Sequence, residues 1–141
     1  MDIKKWDLVY FKGNNQNWII EYGLKNEDVV HYKWSKLITV NFFSHHKYNF
    51  NLTDYYNKFS ALLKEQASST NRRLYIKKIS ENSNEIYFIW RISERNESEV
   101  CRIFSTKKGL YFAHFAEKKN RFTQEEMDNI ITTLKSIQIA E

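Results

Sequence analysis

One cysteine and one of the four histidines offer the clearest route to chemistry in this chain. Cys101 and His114 lie in two neighbouring runs of β-branched and aromatic residues that predict a β-hairpin. If Ser105 pairs with Leu110 across the turn, Cys101 lies directly opposite His114, with Cβ atoms about 5 Å apart. A thiol beside an imidazole is the minimal nucleophile and base of a thiol enzyme.

The predicted surroundings of Cys101 favour a structural role over that alternative. The same sheet face would carry Ile103, Leu110 and Phe112, an apolar layer in which a thiol resists ionisation. The thiol also lies within a strand, whereas nucleophilic cysteines are usually presented by a helix N-terminus or a sharp turn. A single cysteine further excludes an internal disulfide and a cysteine-based zinc site. We therefore predict a buried, structural Cys101.

Two adjacent histidines, His45 and His46, lie in a predicted loop after the third strand. Adjacent imidazoles can bind a transition metal, but neither an HExxH spacing nor an acidic cluster supplies further ligands. The nearest carboxylate, Asp54, falls in the first turn of a predicted helix, where it offsets the helix dipole. With three glycines, the chain also lacks a glycine-rich phosphate loop. The sequence predicts neither a metal nor a cofactor.

Several charged residues within predicted strands are candidates for acid/base chemistry or for ion pairs. Glu21 interrupts an apolar strand, which an edge or solvent-facing position explains. Arg91 and Arg102 can each pair with a strand carboxylate, and such pairs are more often structural than catalytic. The candidate acids are Glu21, Glu85, Glu94, Glu97 and Glu99.

The elements that position these residues alternate in a simple order of three strands, a helix, four strands and a helix. Consecutive strands joined by short turns pair antiparallel, and amphipathic helices cover the resulting sheet. The sequence thus predicts an α+β fold in one domain, residues 1–141. Its core is an antiparallel sheet of six or seven strands covered by two helices.

The two helices carry distinct local signals. A helix over 52–67 begins after Asn51 or at Thr53, either of which is a good N-cap. The last helix, over 124–137, begins with a capping box made by Thr123 and Glu126. Most of an apolar stripe along one face of the first helix should face a core, and that stripe consists of Tyr55, Tyr56, Phe59, Leu62, Leu63 and Gln66.

Composition bounds the function classes. The aromatic share of 16% suits pleated sheet surfaces, and the net charge of +5 permits but does not demonstrate attraction to polyanions. The densest basic group, at 107–108 and 118–121, would gather at one end of the terminal hairpin.

No apolar run is long enough to span a membrane. The N-terminus as it stands predicts a cytoplasmic protein, whereas removal of a signal sequence before Met1 would imply a periplasmic or exported one.

Three stretches of sequence together carry a family resemblance. They are Trp18-Ile-Ile-Glu-Tyr-Gly23, then Trp34-Ser-Lys-Leu-Ile-Thr-Val40, and later Gly109-Leu-Tyr-Phe-Ala-His-Phe115 before an amphipathic helix. The chain resembles an uncharacterised family of small bacterial domains with the α/β/α sandwich of PsbP-like proteins. That resemblance implies a binding or assembly domain, often exported, and assigns no catalytic residue.

The leading functional hypothesis is a non-enzymatic binding module, such as a component of a bacterial envelope or secretion system, whose partner is another protein. The alternative is a small thiol-dependent or acid/base enzyme that uses Cys101 with His114, or Glu21 with an arginine. A basic domain that binds nucleic acid is the weaker alternative, because no RNA-binding motif is present. The sequence leaves the oligomeric state open. The predicted contact patch is aromatic and histidine-rich, and comprises Trp6, Trp34, His45, His46, Tyr48 and Phe50.

Overall fold

Seven strands and two helices follow one another in the order that the sequence predicts. The computed structural model describes residues 5–137. The elements are β1 (Trp6–Gly13), β2 (Asn17–Leu24), β3 (Lys36–Ser44), α1 (Leu52–Ser69), β4 (Leu74–Glu81), β5 (Glu85–Ile92), β6 (Ser98–Ser105), β7 (Gly109–Glu117) and α2 (Gln124–Lys135).

All seven strands belong to one antiparallel sheet with the order β1-β2-β3-β7-β6-β5-β4. Two meanders, β1 to β3 and β4 to β7, meet where β3 pairs with β7. Helix α1 connects β3, near the middle of the sheet, to β4 at the far edge. The predicted α+β fold is confirmed with seven strands, and β1 and β4 are the edges.

Each face of the sheet is covered by a helix, so the sheet separates two apolar cores. Strand β5 shows the division, because Ile86 and Phe88 pack with α1 whereas Tyr87 and Ile89 pack with α2. Alternation of side chains along a strand produces this split. Since both faces of β5 are buried, nearly all of its residues are apolar or aromatic, as expected for an interior strand.

Helix α1 uses Asn51, one of the two predicted N-caps, and its side-chain oxygen accepts from the Asp54 backbone N–H at 2.8 Å. Leu63 and Ala67 are buried against the sheet. Leu62 belongs to the predicted stripe but faces away from the core, since the residue is 50% exposed. Consecutive helical residues point about 100° apart, so the turn that buries Leu63 directs Leu62 outward. Gln66, the last residue of the predicted stripe, is also exposed.

Helix α2 begins with the predicted capping box. The Thr123 hydroxyl accepts from the Glu126 backbone N–H at 3.1 Å, and the Glu126 carboxylate accepts from the Thr123 N–H at 2.9 Å. Ile130 and Leu134 are buried beneath the helix. Helix α1 packs over β4, β5 and β6, and α2 packs over β6 and β7. The helices therefore concentrate on one half of the sheet, away from β1 and β2.

Candidate functional site

The predicted pairing of Cys101 with His114 is present. In the β6–β7 hairpin, Ser105 pairs with Leu110, and the register places Cys101 directly opposite His114. Cys101 belongs to the apolar core beneath α1, together with Phe112. A four-residue turn with Gly109 at its end fixes this register, which is why local sequence was sufficient to predict it.

Glu99 is the acceptor at which the polar side chains of this region converge. Its Oε1 lies 2.9 Å from His114 Nδ1, 3.2 Å from Trp90 Nε1 and 3.7 Å from Cys101 Sγ. Strand alternation places Glu99 on the same face as Cys101, and the β5–β6 register places Trp90 directly opposite Glu99. We refer to Glu99, His114, Trp90, Cys101 and Asn41 as the Glu99 cluster.

Both nitrogens of the His114 ring face side-chain oxygens. Nδ1 contacts Glu99, and Nε2 lies 3.4 Å from Oδ1 of Asn41 on β3. The ring also stacks on Phe112, with centroids 4.7 Å apart and planes inclined by 29°. The His114 side chain is 20% exposed and that of Glu99 12%. The imidazole is thus held on three sides, an arrangement that fixes its position.

The electrostatics of the Glu99 cluster oppose ionisation of the thiol. Cys101 is 0% exposed, and burial followed by the nearby Glu99 charge raises its pKa well above the ordinary 9.0. Burial, and then the charge of Glu99, also raises the pKa of Glu97. Because the thiolate is the nucleophile, a thiol protonated at neutral pH is inert as a catalyst.

The structure separates the six residues of the predicted contact patch into two groups. Trp6 and Trp34 lie near the start of β3, whereas the other four follow its end at Ser44. A nine-residue strand spans roughly 30 Å, so the six side chains do not form one surface. Trp6 packs edge-on against Phe115, and Trp34 lies beneath the Lys118 ammonium, 4.5 Å from its ring centroid.

The two histidines of the patch are exposed beside the β6–β7 turn. The His45 backbone N–H donates to the Lys108 carbonyl at 3.0 Å, and its ring Nε2 lies 3.1 Å from the Thr106 carbonyl. The His46 backbone N–H donates to the Ser44 hydroxyl. Among residues 5–137, no group of three or more His, Cys, Asp or Glu side chains has an arrangement that could hold a metal ion.

Tyr48 and Phe50 extend the core beneath α1. Their rings stack with centroids 5.4 Å apart, and both pack edge-on against Phe43. The Tyr48 hydroxyl accepts from the Asn17 side-chain amide at 2.9 Å. Phe50 also contacts Tyr55 of α1. These contacts give both rings a structural role in attaching the β3–α1 loop to the sheet.

The charged strand residues serve mainly in ion pairs. Arg102 pairs with Glu85 at 2.9 Å and also donates to the Leu134 carbonyl near the end of α2. Arg91 stacks on Tyr75, 4.3 Å from its ring centroid. Lys107 and Lys108 lie at the β6–β7 turn, whereas residues 118–121 follow the other end of β7. The expectation that these basic residues gather at one end of the hairpin is therefore wrong.

The sequence predicts Cys101 and His114 as a pair and Glu99 as a candidate acid, but nothing local in it connects Glu99 to that pair. Glu99 and Cys101 are two residues apart in β6, and this spacing already predicts that they share one face of the sheet. No local pattern places Trp90 and Asn41 in the cluster. Their positions depend on the pairing of β5 with β6 and of β3 with β7, outside the β6–β7 hairpin.

Comparison of the chain with protein-family models, with curated proteins and with solved structures finds no match. Within the described residues, neither helix is both long enough and apolar enough to cross a membrane.

Proposed function

We propose that this protein is a non-enzymatic binding module whose partner is another protein. The proposal rests on exposed apolar side chains in the loop between β2 and β3. We call this loop, residues 25–35, the β2–β3 segment. Val30 and Tyr32 of this segment are 76% and 80% exposed, the highest values among the large apolar residues that the structure describes. Exposed apolar surface is typical of protein contact sites, and aromatic side chains are enriched in them.

Hydrogen bonds hold the β2–β3 segment in a defined shape. The Lys33 backbone N–H donates to the Asp28 carbonyl at 2.8 Å, and the His31 ring lies 2.6 Å from the Asp28 carboxylate. The Ser35 backbone N–H and hydroxyl both donate to Glu27. An ordered loop loses less conformational entropy when it binds a partner than a loose one does.

The backbone of Tyr32 supports a functional reading of this segment. Its φ of +59° lies in the left-handed region, which costs a non-glycine residue about 1–2 kcal/mol. The Lys118 ammonium stabilises this conformation by donating to the Tyr32 carbonyl at 2.7 Å. Strained backbone of this kind concentrates at functional sites, and tyrosine is enriched where proteins contact one another.

The Glu99 cluster supports a binding role over an enzymatic one. Its thiol is buried and protonated, and both nitrogens of its imidazole already face side-chain oxygens. A thiol enzyme would instead need an accessible thiolate with the imidazole as its base. The cluster therefore serves to position β3, β5, β6 and β7 relative to one another.

The resemblance to PsbP-like domains supports a role in binding and assembly. A helix layer on each face of an antiparallel sheet is the arrangement that such a sandwich implies, and domains of this kind serve in binding and assembly. We include in the proposal a role as an assembly component of a bacterial envelope or secretion system.

The proposal is tested by comparing three forms of the protein as affinity baits in extracts of the source cells. Wild type and a Leu62→Ser control, altered on the exposed side of α1, should retain the same partner protein. A Val30→Ser/Tyr32→Ser variant should lose it while keeping the melting temperature of wild type. Retention of the same proteins by all three forms, or of none by wild type, would overturn the proposal.

A further inference from the structure

The edge strand β1 exposes apolar side chains on both of its faces. Leu8 and Phe11 are each 58% exposed, and Tyr10 is 39% exposed. An edge strand also presents a row of backbone N–H and C=O groups to any further strand that can align with it. A long edge of this composition is favourable for the addition of another strand.

A β-bulge gives β1 an unusual symmetry. Leu8 pairs with Tyr22, but the register shifts so that Tyr10 pairs with Glu21 and Phe11 with Ile20. Because Tyr22 and Ile20 both lie on the α2 side of the sheet, Leu8 and Phe11 share that face.

The same shift acts on the charged residues of the strand. Asp7 pairs with Gly23 and Lys12 with Ile19, and both partners lie on the α1 side, alternating with Tyr22 and Ile20. Residues at equal distances on either side of a point between Val9 and Tyr10 therefore lie on the same face of β1.

We infer that two copies of this chain associate through β1, paired antiparallel about a two-fold axis between Val9 and Tyr10. The axis stands perpendicular to the sheet, so the two seven-stranded sheets become one continuous sheet and each face stays continuous. Leu8 of each copy lies opposite Phe11 of the second copy and covers it. This occupant is distinct from the partner of the β2–β3 segment, which the pairing does not involve.

Charge complementarity identifies a second copy as the occupant. In this register, Asp7 of each copy lies opposite Lys12 of the other, so one two-fold contact contains two opposite-charge pairs on the same face. Opposite charges that face each other across an antiparallel pair stabilise the pairing, and like charges in the same positions destabilise it. In a strand without the bulge, Asp7 and Lys12 would lie on opposite faces and could not meet.

The other edge strand, β4, has a different character. It carries the adjacent Lys77 and Lys78, and edge lysines are a common device against strand addition. The Lys78 ammonium is already bonded to Glu81 of its own strand at 3.0 Å. The β4 edge therefore provides a matched control for charge reversal.

The test measures molecular mass by sedimentation over protein concentrations from about 1 µM to about 1 mM, the range of Kd for weak complexes. Wild type and a Lys77→Asp control should both dimerise with the same Kd. Asp7→Lys places lysines opposite each other at both pairs and should weaken dimerisation by about tenfold or more. The Asp7→Lys/Lys12→Asp variant, which exchanges the two charges, should recover it.

Mixing two single variants provides a test that does not depend on the stability of one variant. Asp7→Lys and Lys12→Asp chains each repel themselves, but together they restore two opposite-charge pairs and should form a heterodimer. A wild-type protein that stays monomeric up to about 1 mM would overturn the inference. A dimer that Asp7→Lys leaves unchanged would also overturn it, by showing that the copies meet through another surface.

Discussion

His114 Nδ1 lies 2.9 Å from Glu99 Oε1, and this contact joins β7 to β6 across the face that packs under α1. The same carboxylate oxygen accepts from Trp90 of β5, and the second nitrogen of the imidazole faces Asn41 of β3. One carboxylate and one imidazole thus connect four adjacent strands. The pairing of Cys101 with His114, which suggested an enzyme, lies inside this network.

Cys101 should react slowly with a thiol reagent in native buffer and fully after unfolding. Burial both blocks access and raises the pKa of the thiol, so little thiolate is available. The measurement is the labelling rate with and without denaturant, for wild type and for His114→Ala. Fast native labelling near neutral pH that collapses in His114→Ala would identify a thiol enzyme instead.

Glu99→Ala should lower the free energy of unfolding by about 1–3 kcal/mol, because His114 Nδ1 and Trp90 Nε1 both lose their acceptor. Glu99→Gln keeps an acceptor oxygen and should cost less. Urea denaturation gives both values. Glu65→Ala on the exposed side of α1 is the control and should change stability by no more than about 0.5 kcal/mol.

Two substitutions at Trp90 separate its packing from its hydrogen bond. Trp90→Ala should cost roughly 3–5 kcal/mol, because the ring packs against Phe59 and its loss leaves a cavity. Trp90→Phe keeps most of the packing and loses only the donor to Glu99, so it should cost about 1 kcal/mol. Equal losses for the two variants in thermal or urea denaturation would contradict this division.

Thr123→Ala should lower the free energy of unfolding by about 1 kcal/mol, because it removes the N-cap acceptor of α2. Thr132→Ala, in an exposed position within the same helix, is the matched control. Its hydroxyl only donates to the Asp128 carbonyl one turn earlier, so its loss should be nearly neutral. A denaturation midpoint for Thr123→Ala equal to that of the control would argue against the capping role.

The charge of Glu126 should make stability depend on pH in the acid range. Its bond to the Lys119 ammonium, and then the Thr123 backbone N–H, lower the pKa of Glu126 from 4.5 to about 2. Well above pH 4.5, the ordinary pKa, the carboxyl is ionised in both folded and unfolded chains, and its full stabilisation is present.

As the pH falls below 4.5, the unfolded chain takes up the proton first, so this stabilisation declines until the pH reaches about 2. The measurement is the melting temperature of wild type and of Glu126→Gln between these limits. The two curves should be separated at pH 5 to 6, a range chosen as roughly one unit above the ordinary pKa, and should converge toward about pH 2. A constant separation would show that the charge of Glu126 does not contribute.

Sequence alone determined the features that depend on neighbouring residues. The capping box of Thr123 and Glu126 is a local pattern and is present as predicted, and α1 uses Asn51, one of the two N-caps that its local sequence offers. The Cys101–His114 pairing belongs with them, because a short turn fixes the register of a hairpin. These signals were sufficient to predict the α+β fold and its order of elements.

Only the tertiary structure decided what those elements bring together. Asn41 reaches His114 because β7 pairs with β3, a contact between distant parts of the chain that hydrophobic alternation does not specify. The left-handed backbone of Tyr32 likewise depends on hydrogen bonds that close its loop and on Lys118 from β7's far end.

The symmetry of β1 also depends on pairing, because the bulge exists only in its register with β2. Alternation predicts that a residue faces one side of a sheet, but one bulged residue reverses that assignment for everything beyond it. Strand pairing then decides which side chains become neighbours, as it does for Trp90 and Glu99 across β5 and β6. Local propensity determined the elements, and long-range strand pairing determined the surfaces that they form.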